Sequence, residues 1–157
     1  MRPETLARLF EPIEKLRAAR GTRRPQELLP ALQAAMWETL AVEKDTASLA
    51  RGRTFIAEER ERLEQDLRLA EPFDLVLAAE HRNLLEVAEV IVEAADLRRE
   101  SRGSHVRSDF PERDDAGWLT NLFAWRENGA LRLERRWINA EHGWVDQPGD
   151  VRIKPWG

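Results

Sequence analysis

The 157-residue chain has no cysteine. This excludes disulfides, thiolate catalysis, cysteine-type structural zinc and iron–sulfur ligation by its own residues. Lysine is scarce. Lys15, Lys44 and Lys154 are the only three, so 22 of the 25 cationic residues are arginine. A buried or paired cation is therefore expected to be a forked, permanently charged guanidinium. No apolar run approaches the roughly 20 residues that a membrane span needs, so direct membrane insertion is not expected. The start, Met1-Arg2-Pro3-Glu4-Thr5, lacks an apolar stretch followed by a small-residue cleavage site, which predicts a cytoplasmic protein. With 25 basic and 29 acidic residues the net charge is −4, so the surface as a whole does not attract phosphate backbones. Arg20, Arg23 and Arg24 read as solvated linker rather than a nucleic-acid contact.

Domains most often run about 100–150 residues, so the length predicts one domain. Two regimes divide it. Up to about Arg102 the apolar residues recur at helical spacing, and beyond Gly103 Gly, Pro, Asp and Trp take over. Leu6, Leu9, Phe10, Ile13 and Leu16 share one helix face, with Pro12 either starting or kinking that helix. A second helix carries Leu29, Leu32, Met36 and Leu40, with Trp37 beside them. The next begins at Asp45, an N-cap residue type. It places Leu49, Ile56 and Leu63 at seven-residue spacing, with Gly52, Phe55 and Leu67 filling in, and is expected to stop at Pro72. Its Glu58, Glu59, Arg60, Glu61, Arg62 and Glu64 read as a solvated, salt-bridged face. The last long helix spans about Asp74 to Arg99. Leu77, Leu84, Ala88, Ile91 and Ala95 form its expected core stripe, while Leu85, Val87, Val90 and Val92 make it apolar on further sides, so it needs more cover than two neighbours provide.

In the second regime Leu122–Trp125 and Ala130–Glu134 flank Arg126-Glu127-Asn128-Gly129, and Asn-Gly is a strong hairpin signal. A two-stranded hairpin is marginal alone, so its aromatics need the bundle or a partner to lie on. The fold class expected is mainly all-α: an antiparallel three-helix bundle of the spectrin-repeat kind over residues 25–102. It follows an N-terminal helical segment, 1–24, and precedes an irregular tail, 103–157, of charged loop and short β-hairpin, all within one domain.

The stretch Arg98–Asp115 is dense in charge and alternates in sign, with Gly103, Phe110 and Pro111 constraining its backbone. Forked donors and matching carboxylates can hold a loop in one conformation, as an interface or site loop requires. A solvated charged loop is the plainer alternative. His81, His105 and His142 have no short-spaced partners of a metal set. His105 with Asp109 or Asp114 could perform acid–base chemistry but lacks a nucleophile or pocket. No catalytic, cofactor-binding or metal-ligating residue is assigned.

The run Glu100–Asp115, ESRGSHVRSDFPERDD, followed by Trp118, resembles the signature of the C-terminal helical domain of one flavoprotein family. That family comprises the succinate dehydrogenase and fumarate reductase flavoprotein subunits and L-aspartate oxidase, with adenylylsulfate reductase more distantly similar. Leu32-Gln33 with Met36-Trp37, Leu49 with Gly52, and Arg82-Asn83-Leu84-Leu85 with Ala88-Glu89 resemble its three helices in order. Trp125 and Leu131–Arg135 resemble its closing hairpin. The match covers about residues 25–137. Ala41 and Lys44 depart from it, standing where the family often has Gly and Arg.

The resemblance implies a FAD-dependent oxidoreductase acting on dicarboxylates, of which this chain is one part. The family holds FAD in a domain with a Gly-rich phosphate loop, and no Gly-x-Gly-x-x-Gly occurs here. The chain alone is therefore expected to bind no cofactor and to be inactive. Its implied partners are a FAD-binding domain of the same or a companion chain and an iron–sulfur subunit, in a complex that can lie peripherally at the inner membrane. The implied interdomain contact is Glu100, Ser101, Arg102, His105, Arg107, Asp109, Arg113 and Asp114. A stand-alone helical interaction module reusing this fold is the alternative.

Overall fold

A computed structural model describes residues 3–139 and 143–145. Helix α1 spans Pro3–Ala18, α2 Pro25–Leu40, α3 Thr46–Gln65 and α4 Pro72–Leu97. α1 runs continuously through Pro12. The expected stripe residues Leu6 and Leu9 have side chains outside the described ones, and Leu16 is in the core.

Helices α2, α3 and α4 pack mutually, and α1 adds to α4. Arg24 and Gln26 at the start of α2 both bond Asp74 at the start of α4, so these two helices run parallel. α3 runs against α4, because Arg53 meets Glu93 and Asp96 while Arg60 meets Glu86 and Glu89. The expected three-helix bundle is present. Gly52 lets α3 approach α2 closely, since a Cβ there would lie 2.3 Å from Thr39 Cγ2.

α3 starts as expected: the Asp45 carboxylate accepts from Ser48 N–H at 2.6 Å. Leu49, Ile56 and Leu63 are buried core. The helix ends at Gln65, well before Pro72, and Pro72 instead opens α4 as its first residue, where a missing N–H costs nothing.

Four expectations about burial need correction, the first being Phe10 of the α1 stripe, which stands 58 % exposed. In α2 Leu32 is core as expected and Leu29, Met36 and Leu40 pack partly buried against it, but Leu28 joins the core and Trp37, expected beside that face, stands 80 % exposed. In α3 Glu59 is not solvated but buried, against His81 of α4. In α4 the core seam is Ala78, His81, Leu85, Ala88, Val92 and Ala95, and the expected members Leu84 and Ile91 are exposed. The steps of three and four hold for both stripes, so periodicity alone does not separate two seams on one doubly apolar helix.

After α4, a two-residue strand β2 (Val106–Arg107) pairs in parallel with β1 (Glu43–Lys44), which links α2 to α3. A single turn, α5 (Asp115–Trp118), leads into an antiparallel sheet of β3 (Thr120–Glu127), β4 (Ala130–Asn139) and β5 (Gly143–Val145). The expected hairpin is present and extended by a third strand. Asn128 and Gly129 have φ of 52° and 82°, as a two-residue primed turn requires. The sheet lies on α4, with β4 packed against it and Arg126 of β3 paired to Glu86 and Glu89. The tail beyond residue 145 lies outside the described residues.

Candidate functional site: the charged loop between α4 and β3

An α-helix ends with carbonyls that lack intrahelical partners. At the end of α4 these are met by Arg107. Its Nη1 donates to the carbonyls of Ala95 at 2.8 Å, Asp96 at 3.2 Å and Arg98 at 3.4 Å. The same guanidinium grips Asp109 with two bonds of 2.8 Å, Nε to Oδ1 and Nη2 to Oδ2, and donates to Thr46 Oγ1 at 2.9 Å. Asp109 Oδ2 in turn accepts from Thr46 N–H at 3.0 Å and its hydroxyl at 2.7 Å. One side-chain pair therefore joins the C-terminus of α4 to the N-terminus of α3. Each helix end receives the sign its dipole favours. Arg107, Thr46 and the other donors hold the Asp109 carboxyl well below the usual carboxylate range.

Glu100 forms a second centre. Its side chain is fully buried and accepts from Arg98, from Arg102 Nε at 2.8 Å and Nη2 at 3.0 Å, and from Asp114 N–H at 2.9 Å. Burial alone raises such a carboxyl, but these donors outweigh it, so Glu100 titrates below its ordinary value. Arg102 also reaches Asp115 Oδ1 at 2.6 Å, which Arg113 Nε shares at 2.8 Å. Arg98 continues to the carbonyls of Trp118 at 3.2 Å and Thr120 at 2.6 Å. Its guanidinium and that of Arg135 lie 5.3 and 4.7 Å from the Trp118 ring centroid, which couples the loop to the sheet through cation–π contacts.

Backbone turns complete the loop. Ser101 Oγ donates to Phe110 O at 2.9 Å and accepts from Arg107 N–H at 2.9 Å. Arg102 and His105 exchange backbone bonds across Gly103, whose φ is 58°. His105 Nε2 lies 3.3 Å from Arg98 O. Burial first, then Lys44, Arg98 and Arg107, push this histidine below its ordinary pKa. Asp114 caps α5 by accepting from Gly117 N–H at 2.8 Å.

All eight expected contact residues thus lie in one loop. Glu100 and Arg107 are wholly interior, and Ser101, Arg102 and His105 are half-buried with partners inside the domain, while Arg113 and Asp114 face outward. Thr46 and Lys44 belong to the same constellation and were not expected in it. Lys44 Nζ donates to Val42 O at 2.8 Å, and burial, then Arg107, lower its pKa. Both sit more than 60 residues from Arg107, and nothing in their local spacing signals the contact.

Among the described residues no group of three or more His, Asp and Glu is placed to hold a metal ion. Two cavities have volumes of about 620 and 590 Å³. The first, between α1, α3 and α4, includes Lys15, Arg60, Glu64 and Glu86, and the second, between α4 and the sheet, includes Asp96, Trp118 and Glu134. Neither is lined by the glycine-rich turn and helix N-terminus that cradle a dinucleotide pyrophosphate, so these residues do not fit FAD. No helix among the described residues is long and apolar enough to cross a membrane.

A model of the C-terminal part of the fumarate reductase flavoprotein matches residues 30–153. The Haemophilus influenzae fumarate reductase flavoprotein subunit is 33 % identical over 128 residues, 78 % of this chain and 21 % of the relative. The mitochondrial succinate dehydrogenase [ubiquinone] flavoprotein subunit of Oryza sativa subsp. japonica is 32 % identical over 79 % of this chain and 20 % of its own length. A solved mutant of E. coli quinol fumarate reductase FrdA superposes with a TM-score of 0.75 at 25 % identity, covering 98 % of this chain and 25 % of that one. The chain spans about a fifth of the length of the curated relatives it matches. Sequence and fold thus agree over the bundle, the charged loop and the sheet, and the chain belongs to the succinate dehydrogenase and fumarate reductase flavoprotein family, matching the C-terminal domain of its flavoprotein subunits.

Proposed function

We propose that this chain serves as the C-terminal domain of a FAD-dependent oxidoreductase of the succinate dehydrogenase and fumarate reductase type. In this reading it packs against the FAD-binding part, carried on the same or a companion polypeptide, and supports that part's geometry. The observation that carries it is the C-terminal family match over residues 30–153. FAD, the dicarboxylate and electron transfer to an iron–sulfur subunit belong to the rest of the assembly, which places it peripherally at a membrane. The charged loop contributes a contact through its outward residues Arg113 and Asp114, with Asp109 at its edge. Glu100, Ser101, Arg102, His105 and Arg107 keep the shape that presents them.

The test isolates the full chain, tagged, from its native cells. The expected product contains a second segment with flavin absorbance and reduces fumarate or oxidises succinate with an artificial electron carrier. Elution alone, or with a partner devoid of flavin, overturns the reading and favours an independent helical module. Within the complex, Arg113→Ala is expected to weaken docking while the melting temperature of the isolated chain stays within about 2 °C, as for other surface substitutions.

A further inference from the structure

The cavity of about 620 Å³ between α1, α3 and α4 lies apart from the charged loop. Its volume is that of a pocket for a small organic molecule. Its floor is aliphatic: Leu16 of α1, Leu63 of α3 and Leu85 of α4 each present a core side chain, with Ala19 beside them. Around that floor stand the cations Lys15, Arg20, Arg60 and Arg82 and the acids Glu11, Glu64 and Glu86. An apolar floor with a few convergent charged groups suits a molecule with an apolar body and a charged end.

The sign of that charge follows from which groups are already engaged. Lys15 pairs with Glu11 at 3.1 Å, and Arg60 with Glu86 at 3.3 Å and Glu89 at 2.7 Å. Arg20 Nη1 donates to the carbonyls of Arg17 at 3.0 Å and Ala19 at 2.7 Å. Arg82 differs. Among the described residues it has no ion pair: its Nε is buried without an acceptor, and its Nη2 meets Asn83 Oδ1 at the long distance of 3.4 Å. A buried donor without an acceptor is a standing cost that an arriving acceptor removes. A guanidinium is suited to a carboxylate, which takes two of its N–H groups side by side.

The number of charges is limited as well. With Lys15, Arg20 and Arg60 engaged, a second anionic group would find no free cation and would face the exposed Glu64 at the rim. A cationic ligand is disfavoured by the same half-buried Arg82, since like charges repel in a partly desolvated site.

We infer that this cavity binds an aliphatic monocarboxylate, with its chain on Leu16, Leu63 and Leu85 and its carboxylate on Arg82. Because α1 supplies one wall, occupancy also braces α1 against α3 and α4.

The test titrates the full 157-residue chain, isotope-labelled in its leucine methyls, with decanoate, with decan-1-ol and with the dicarboxylate sebacate. Decanoate is expected to shift the methyl resonances of Leu16, Leu63 and Leu85 with a dissociation constant below about 1 mM, and to slow amide exchange along α1. Decanol and sebacate are each expected to bind at least tenfold more weakly. Arg82→Gln should weaken decanoate at least tenfold and leave decanol unchanged, a split that a merely structural role for Arg82 does not produce. Ala19→Phe, which fills the cavity, should abolish binding with unchanged helicity. Equal affinity for decanoate and decanol, shifts at other leucines or none, or an Arg82→Gln chain that binds decanoate as before overturns the inference. Should Arg82→Gln lose helicity, the ratio of decanoate to decanol affinity in the unsubstituted chain decides, and a ratio near one overturns it.

Discussion

Arg107 and Asp109 form a two-bond ion pair, 2.8 Å on each side, whose partners are the last carbonyls of α4 and the first residue of α3. The pair is in contact across two residues of sequence but joins helix ends some 50 residues apart. It holds the loop, the short β1–β2 pairing and the open end of the bundle in one arrangement.

Arg107→Met is expected to lower stability by on the order of 3 kcal/mol, because it strands Asp109 and uncaps α4 in a buried site. Arg107→Lys should recover less than half of that, since one ammonium cannot span Asp109, Thr46 and three carbonyls together. Urea denaturation followed by far-UV circular dichroism measures both. Equal stability of Arg107→Met and wild type contradicts the clamp.

The seam assignment on α4 is tested by two neighbouring residues of identical chemistry. Leu85 is fully buried and Leu84 is 46 % exposed. Leu85→Ala is expected to cost about 3 kcal/mol in the isolated chain, and Leu84→Ala less than about 1. The opposite order restores the Leu77, Leu84, Ile91 register.

Glu59 and His81 face each other at 3.4 Å, both about 1 % exposed. Burial lifts Glu59 above its ordinary 4.5 and holds His81 below its ordinary 6.5. The unfolded chain therefore takes up a proton on His81 first as pH falls below 6.5, which destabilises the fold. It loses one from Glu59 first as pH rises above 4.5, which also destabilises it. In His81→Leu only the second effect remains, so the urea midpoint should fall between about pH 5 and 7. In Glu59→Gln only the first remains, so it should rise over the same interval. Slopes of equal sign in the two variants rule out this account.

Gly129 sits at φ 82° in the hairpin turn. Gly129→Ala is expected to cost about 1–2 kcal/mol through the left-handed conformation alone. A thermal scan should show a fall of a few degrees, with the α-helical signal of the native state unchanged.

Much of the architecture is legible in the residues. Asp45 announces the start of α3 because its short carboxylate satisfies a free N–H within its own turn. Asn128-Gly129 announces the hairpin because positive φ is cheap there. Leu49, Ile56 and Leu63 announce a core seam because α3 has one apolar stripe. That the loop can hold one conformation through paired guanidinium and carboxylate groups was legible as well, from its pattern of Arg and acid. Its wiring was not. Whether Glu100 faces a neighbour or the interior depends on where Arg98, Arg102 and Asp114 arrive, and that follows from the path of the chain.

The sequence by itself determined which segments are helical, the start of α3, the hairpin turn, the family and the lack of thiols in this chain, because these depend on residue type and near neighbours. Only the tertiary structure decided which seam of α4 is core, which acid of α3 is buried, and that Arg107 spends its donors inside the domain. Such choices depend on groups that are remote along the chain. Thr46 lies 61 residues from Arg107, and the competing seams of α4 differ by one residue in register. Packing against α2 and α3 selects the seam through Leu85 and leaves the other facing outward.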